Sequence, residues 1–218
     1  MTYGRLLDAM DEGCPVCQVV GWSAERLIDT LLYEHVNDPE TRRRFRESLG
    51  FCNRHAWQAR AHGDAIGQTI LYEDLMTRVA ERMMSGALPV ASSVCAVCRE
   101  EDEVERQCLV EFMSHVADAE VQRRYRDSGG LCLPHLSSAL AGTQETGPRL
   151  ELLKMEQAVL GLLLDDLTES KRQFDYLHAG VQPGRERGAW VRAIAKLYGA
   201  PGVRVRDMRA SSGRAKAR

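Results

Sequence analysis

The 218-residue chain has no apolar run long enough to span a bilayer. Its longest, Ala158–Leu164, covers seven residues, whereas a spanning helix needs roughly 20. The first residues, M-T-Y-G-R-L-L-D-A-M-D-E-G, contain no apolar core and no cleavage-type site, which argues against a secretory leader. The expected compartment is therefore the cytoplasm, where thiols stay reduced. No stretch alternates apolar and polar residues with period two, so no sheet is expected. A thioredoxin-like reading of the C-x-x-C pairs fails with it, because that fold needs a βαβ pattern. A phosphate loop, a dinucleotide fingerprint, a nucleophile elbow and H-E-x-x-H are also missing.

Charge is unevenly spread. The formal net charge is -2. Residues 199–218 carry Arg204, Arg206, Arg209, Arg214, Lys216 and Arg218 against Asp207 alone. This end sums to +5 and the remainder to -7. An acidic body is a poor docking surface for nucleic acid. Any nucleic-acid contact is expected only through the tail, which reads as a disordered basic end, residues 200–218.

The chain does have seven cysteines and an internal repeat. Leu32–His55 aligns without gaps on Phe112–His135, with eleven of 24 positions identical. Upstream, Cys14 and Cys17 align with Cys95 and Cys98. The expected organisation is a first metal-binding helical repeat at 1–84 and a linker at 85–94. A second repeat follows at 95–180, then a short C-terminal helix at 181–199 and the tail. Repeats of about 80 residues are too long for solenoid units. The fold class expected is all-α, a duplicated helical bundle with pseudo-twofold symmetry.

Helix punctuation supports this reading. Pro15 to Val36 places Leu27, Leu31 and Leu32 at core spacing. Asp38 and Pro39 can start the next helix, and Gly50 and Gly63 can end helices. Asp64 can cap a helix to about Met84, and Asp118 and Gly129-Gly130 repeat the roles of Asp38 and Gly50. A last helix is expected from Arg149 to Leu177. Its Leu153, Leu160, Leu167 and Phe174 recur every seven residues, a seam for packing within the bundle or in a homodimer.

Each copy contains a C-x-x-C and a C-x-x-H. Copy one has Cys14, Cys17, Cys52 and His55, and copy two has Cys95, Cys98, Cys132 and His135. Three thiols and one imidazole form a closed tetrahedral set for zinc. The spacing lets the first turn of a helix aim both side chains of a pair at one ion. The expectation is one zinc ion per copy, each closing its own helical hairpin, with an iron–sulfur cluster as the alternative cofactor. Four protein ligands leave no open position, which argues against a catalytic site.

Other repeated residues read more plainly. His35 and His115 are equivalent and could be alternative ligands or could orient one, but a hydrogen-bonded histidine at a helix end is the preferred reading. Arg43-Arg44-Arg46 and Arg123-Arg124-Arg126 read as solvated faces paired with Glu40, Glu47, Glu120 and Asp127. Cys108 aligns with Ile28 and reads as a small buried hydrophobe. Trp57 and Trp190 read as core anchors.

C-P-V-C, L-Y-E-H-V-N-D-P, G-F-C-N-R-H-A-W, the second C-x-x-C, G-L-C-L-P-H and W-V-R-A-I-A-K-L-Y-G together resemble an uncharacterised bacterial family, a domain of unknown function, over roughly residues 10 to 200. That resemblance implies a bacterial cytosolic protein and supplies no activity or catalytic residue. The function expected is a zinc-binding module of unknown process, a binding or scaffold or regulatory one, whose partner is another protein and not a membrane. A thiol-based redox or metal sensor is one alternative, and an enzyme with a pocket near His35 and His115 is another.

Overall fold

Helices in this chain start and stop where a local group can satisfy the free backbone. The computed structural model describes residues 2–11, 13–173 and 184–203. The order is α1 (Tyr3–Asp8), α2 (Pro15–Tyr33), α3 (Pro39–Glu47), α4 (Asn53–His62) and α5 (Ala65–Met84). Then come α6 (Ala96–Ser114), α7 (Ala119–Ser128), α8 (Leu133–Gly142) and α9 (Thr146–Gln173). A 3-10 turn (Arg185–Gly188) leads into α10 (Ala189–Tyr198). Among the described residues there is no strand, and no helix is long and apolar enough to cross a membrane. The fold is all-α, as the absence of period-two stretches predicts.

The caps fall where the sequence places them. Asp38 accepts the Thr41 amide at 2.7 Å, with Pro39 in the first turn of α3. Asp64 accepts the Gly67 amide at 3.1 Å. Asp118 accepts the Glu120 amide at 2.8 Å. Each carboxylate fills part of the amide deficit of a helix start. Helix α4 ends on Gly63 and α7 on Gly129, both left-handed, the conformation that costs glycine least.

The chain divides into two compact units. A continuous unit comprises Val20–Arg106, and a split unit comprises Met1–Val19 with Gln107–Arg218. The units therefore cut across the two sequence copies. Helices α2 and α6 each contribute their first part to one unit and the rest to the other.

The core of the continuous unit gathers Ile28, Leu32, Phe45, Phe51, Leu71 and Leu75 around Cys95 and Cys98. Phe45 meets Phe51 edge-on at 5.1 Å and Tyr72 at 5.7 Å. In the split unit, α10 packs on α8 and α9, and α7 packs on α9. Its fully buried side chains include Leu6, Phe112, Tyr125, Leu131 and Leu152. Cys108 is buried there too, and that burial pushes its thiol up to about 12.

Three packing expectations are corrected. Trp57 and Trp190 are not core anchors: they are 62% and 60% exposed, because each lies on the outward face of its helix. The buried stripe of α9 is Leu152, Glu156 and Val159, while Leu153 is 41% exposed. A heptad count finds the period but not which side of a helix faces its neighbour. Phe174, Leu177, His178 and the basic positions from Arg204 onward lie outside the described residues.

Candidate metal centres

Each of the eight predicted ligands sits at a helix start. Cys14 immediately precedes α2 and Cys95 immediately precedes α6. Cys52 and Cys132 are the N-caps of α4 and α8, and neither side chain caps its helix. Cys17, His55, Cys98 and His135 follow in the first turns. A helix start presents unpaired amides and the positive end of the helix dipole, which together favour a thiolate.

The clusters cross between the sequence copies. Cys14, Cys17, Cys132 and His135 form one group in the split unit. Cys52, His55, Cys95 and Cys98 form the other in the continuous unit. Within each group one ligand atom per residue lies within 4.8 Å of all the others. All eight residues are thus brought together, but the within-copy pairing is wrong. The C-x-x-C of each copy meets the C-x-x-H of the other.

Helix α2 crosses the division between the units. Its 19 residues rise about 28 Å, starting beside Cys14 in the split unit and ending in the continuous unit that holds Cys52.

In the split unit, Cys17 Sγ lies 3.8 Å from Cys132 Sγ. His135 Nδ1 lies 3.4 Å from Cys14 Sγ, 3.4 Å from Cys17 Sγ and 3.2 Å from Cys132 Sγ. The Ala200 amide, just past α10, donates to Cys17 Sγ at 3.4 Å. In the continuous unit, Cys98 Sγ lies 3.6 Å from Cys52 Sγ. His55 Nδ1 lies 3.3 Å from Cys52 Sγ, 3.5 Å from Cys95 Sγ and 3.5 Å from Cys98 Sγ. Both imidazoles therefore turn Nδ1 inward. His55 Nε2 faces outward, 3.1 Å from Glu101 Oε1, and Arg54 grips that carboxylate with both guanidinium nitrogens.

Crowding four such groups divides their proton affinities. Burial raises the Cys95 thiol, but the His55 ring and first-turn amides outweigh it and hold it at about 6. Burial and the Cys52 sulfur push Cys98 up to about 12. In the split unit Cys14 falls well below its ordinary value despite burial, helped by its sulfur neighbours and His135. Cys132 is driven far up by Cys14 and Cys17. Burial lowers His55 and His135, but the adjoining sulfurs, with Glu101 at His55, hold them up at about 9 and about 10. One sulfur in each group thus ionises at the expense of another. A divalent ion relieves that conflict, because it lets all three thiolates form together. The donor set fits a single metal ion in each group.

The remaining predicted residues stand apart from the clusters. His35 is exposed in the turn after α2. His115 Nδ1 lies 3.0 Å from the Glu111 carbonyl, and its ring meets Tyr3 at 4.8 Å. The arginine runs are paired on their own helices: Arg43 and Arg44 with Glu40, and Arg123 and Arg124 with Glu120.

Sequence reasoning did not single out Glu101, Arg54, Glu156 or Lys196. In the split unit, Lys196 and Glu156 form an ion pair whose side chains are 6% and 3% exposed. Tyr125 donates to Glu156 at 2.5 Å. The Lys196 ammonium also donates to the carbonyls of Gly129 (3.0 Å) and Leu131 (2.7 Å), fixing the loop that delivers Cys132. The available signal was a lone lysine within the apolar pattern of α10.

Comparison with known proteins adds kinship without activity. Residues 5–91 match the model of a family of unknown function, DUF6062. An uncharacterized 23.9 kDa protein in the xynA 3'region of Caldicellulosiruptor sp. (strain Rt8B.4) is 25% identical over 196 residues, covering 87% of this chain and 96% of that protein. The chain is thus similar to an uncharacterised bacterial family. No solved structure matches. The family match ends before Cys95 and so contains half of each cluster.

Proposed function

We propose that each cluster binds one zinc ion, that both ions are structural, and that the protein is a binding or scaffold module acting on another protein. The carrying observation is the spacing of the ligand atoms. Zinc–sulfur and zinc–nitrogen bonds of about 2.3 and 2.05 Å at tetrahedral angles put sulfurs ~3.8 Å apart and sulfur ~3.6 Å from nitrogen. One sulfur pair in each cluster, at 3.8 and 3.6 Å, and the six sulfur–nitrogen distances, 3.2 to 3.5 Å, lie close to those edges, and all the ligand atoms of a cluster lie within 4.8 Å of one another. A multi-iron cluster would hold its ligands on separate metals and spread them wider, so the spacing supports a single ion.

Four protein ligands close each coordination shell, which favours structure over catalysis. The binding role draws on α10, whose Trp190, Val191, Ile194, Leu197 and Tyr198 are between 48% and 60% exposed. Such a cluster on a helix face favours contact with another apolar surface. Elemental analysis of anaerobically purified protein, with an absorption spectrum, tests the metal. Two zincs per chain and no visible band are expected; iron with a charge-transfer band would overturn the reading.

A second reading is thiol-based sensing. It is favoured by the partial exposure of Cys14 and Cys52, the least buried ligands of their clusters. Oxidation of a ligand thiolate expels the metal. Mild peroxide should then release zinc with Cys14 and Cys52 modified first, as read by peptide mass mapping. Uniform modification of all the ligands would count against sensing.

A further inference from the structure

The cluster of the split unit forms part of the wall of a cavity. The cavity holds about 510 Å³, and Cys14 and Cys132 both line it. That volume falls within the range of roughly 300–1,000 Å³ typical of small-molecule sites. The matching cavity of the continuous unit has no cysteine in its wall. In the split unit the wall includes Val159, Leu162 and Leu163 of α9, and Leu162 is 40% exposed. It also includes Arg126, Arg185 and Arg192.

Guanidiniums outnumber carboxylates on part of this wall. Arg185 and Arg192 share one carboxylate, Asp166, at 3.2 and 2.9 Å. Arg126 has no carboxylate partner among the described residues. Lys196, also in the wall, is spent on Glu156. The two acidic residues of the lining, Asp11 and Asp127, reach Arg124 and Arg123, which also pair with Glu120. Planar guanidiniums with donors to spare thus share the lining with apolar side chains.

We propose that this cavity binds a small organic carboxylate with an apolar body. The carboxylate sits at Arg126 and Arg192, whose forked donors suit a carboxylate, and the body lies along Leu162 and Leu163. The proposal stands apart from the metal reading, because the cavity does not depend on which ion is held.

The test is isothermal titration calorimetry of the full-length, metal-loaded protein with decanoate, beside acetate and decyltrimethylammonium. One decanoate per chain is expected, with no measurable heat from the other two. Arg126→Ala with Arg192→Ala should weaken binding at least tenfold, and Leu162→Asp should abolish it. Arg126 is exposed, so Arg126→Ala alone keeps the test informative if another variant misfolds. The proposal is overturned by absent binding, by several decanoates per chain, by equal binding of the ammonium probe, or by unchanged affinity in the arginine variants. Metal content measured on the same samples separates the two readings. Metal-free protein that binds decanoate in this pattern upholds the cavity and sinks the zinc reading. Two zincs without decanoate binding sinks the cavity alone.

Discussion

A second layer of charge stands behind His55. His55 is oriented by Glu101, and Glu101 is held by Arg54. Burial raises the Glu101 carboxyl, but His55 and Arg54 outweigh it and keep it below the ordinary range. In the repeat alignment the counterparts of Glu101 and Arg54 are Val20 and Pro134, which carry no charge. A carboxylate behind a ligating imidazole fixes its ring and raises its basicity. Glu101→Gln should therefore weaken one of the two ions by roughly 10- to 100-fold and leave the other, as read by competition with a chromophoric chelator. The crossed pairing makes its own prediction. Cys14→Ser with Cys132→Ser strips two ligands from one cluster and should leave one ion tightly bound. Cys14→Ser with Cys52→Ser takes one ligand from each cluster and should weaken both. Within-copy pairing would exchange these outcomes, and elemental analysis after gel filtration against a weak chelator distinguishes them.

At the scale of the helix, the loop before each C-x-x-H is supported in two chemically different ways. A Cβ on Gly50 would meet Leu75 at 3.1 Å and Phe45 at 3.3 Å. A Cβ on Gly130 would meet Tyr125 at 2.7 Å and Glu156 at 3.0 Å. The pair Phe45 and Leu75 thus occupies the place that Tyr125 and Glu156 hold in the split unit, where Lys196 completes the network. Removing one partner of a buried ion pair leaves an unpaired charge, which costs about 3–5 kcal/mol. Glu156→Leu alone should destabilise by about that much in urea unfolding. Glu156→Leu with Tyr125→Phe and Lys196→Met, which imitates the apolar version, should recover much of the loss, less the hydrogen bonds to the Gly129 and Leu131 carbonyls.

Helix ends were legible in the sequence because Asp38, Asp64, Asp118, Gly63 and Gly129 act on their immediate neighbours. The buried face of α9 and the exposure of Trp57 and Trp190 were not, since both depend on which neighbour a helix meets. Glu156 escaped notice because it looks like any charged residue on a long helix.

On the scale of the whole molecule, the eight residues that cluster could be read from the sequence but not which four belong together. Residue types and two-residue spacings identify a chelating pair. Partner choice depends on which helix starts the assembled fold brings together, and two-residue spacings do not carry that. The division has a testable consequence. All four ligands of the continuous unit lie within Val20–Arg106. A fragment covering those residues should bind one zinc and gain helicity on doing so, measured by circular dichroism during titration. A fragment ending at residue 91, where the family match stops, lacks Cys95 and Cys98 and should do neither.

The split unit closes only when the first cysteines meet ligands 115 to 121 residues further on. During translation at roughly 5–20 residues per second, that interval lasts on the order of ten seconds. The continuous unit can complete its own metal set in the meantime, while Cys14 and Cys17 leave the ribosome first and are sealed last. A chaperone, a competing metal or an oxidant would find its opening on the newborn chain at those two thiols.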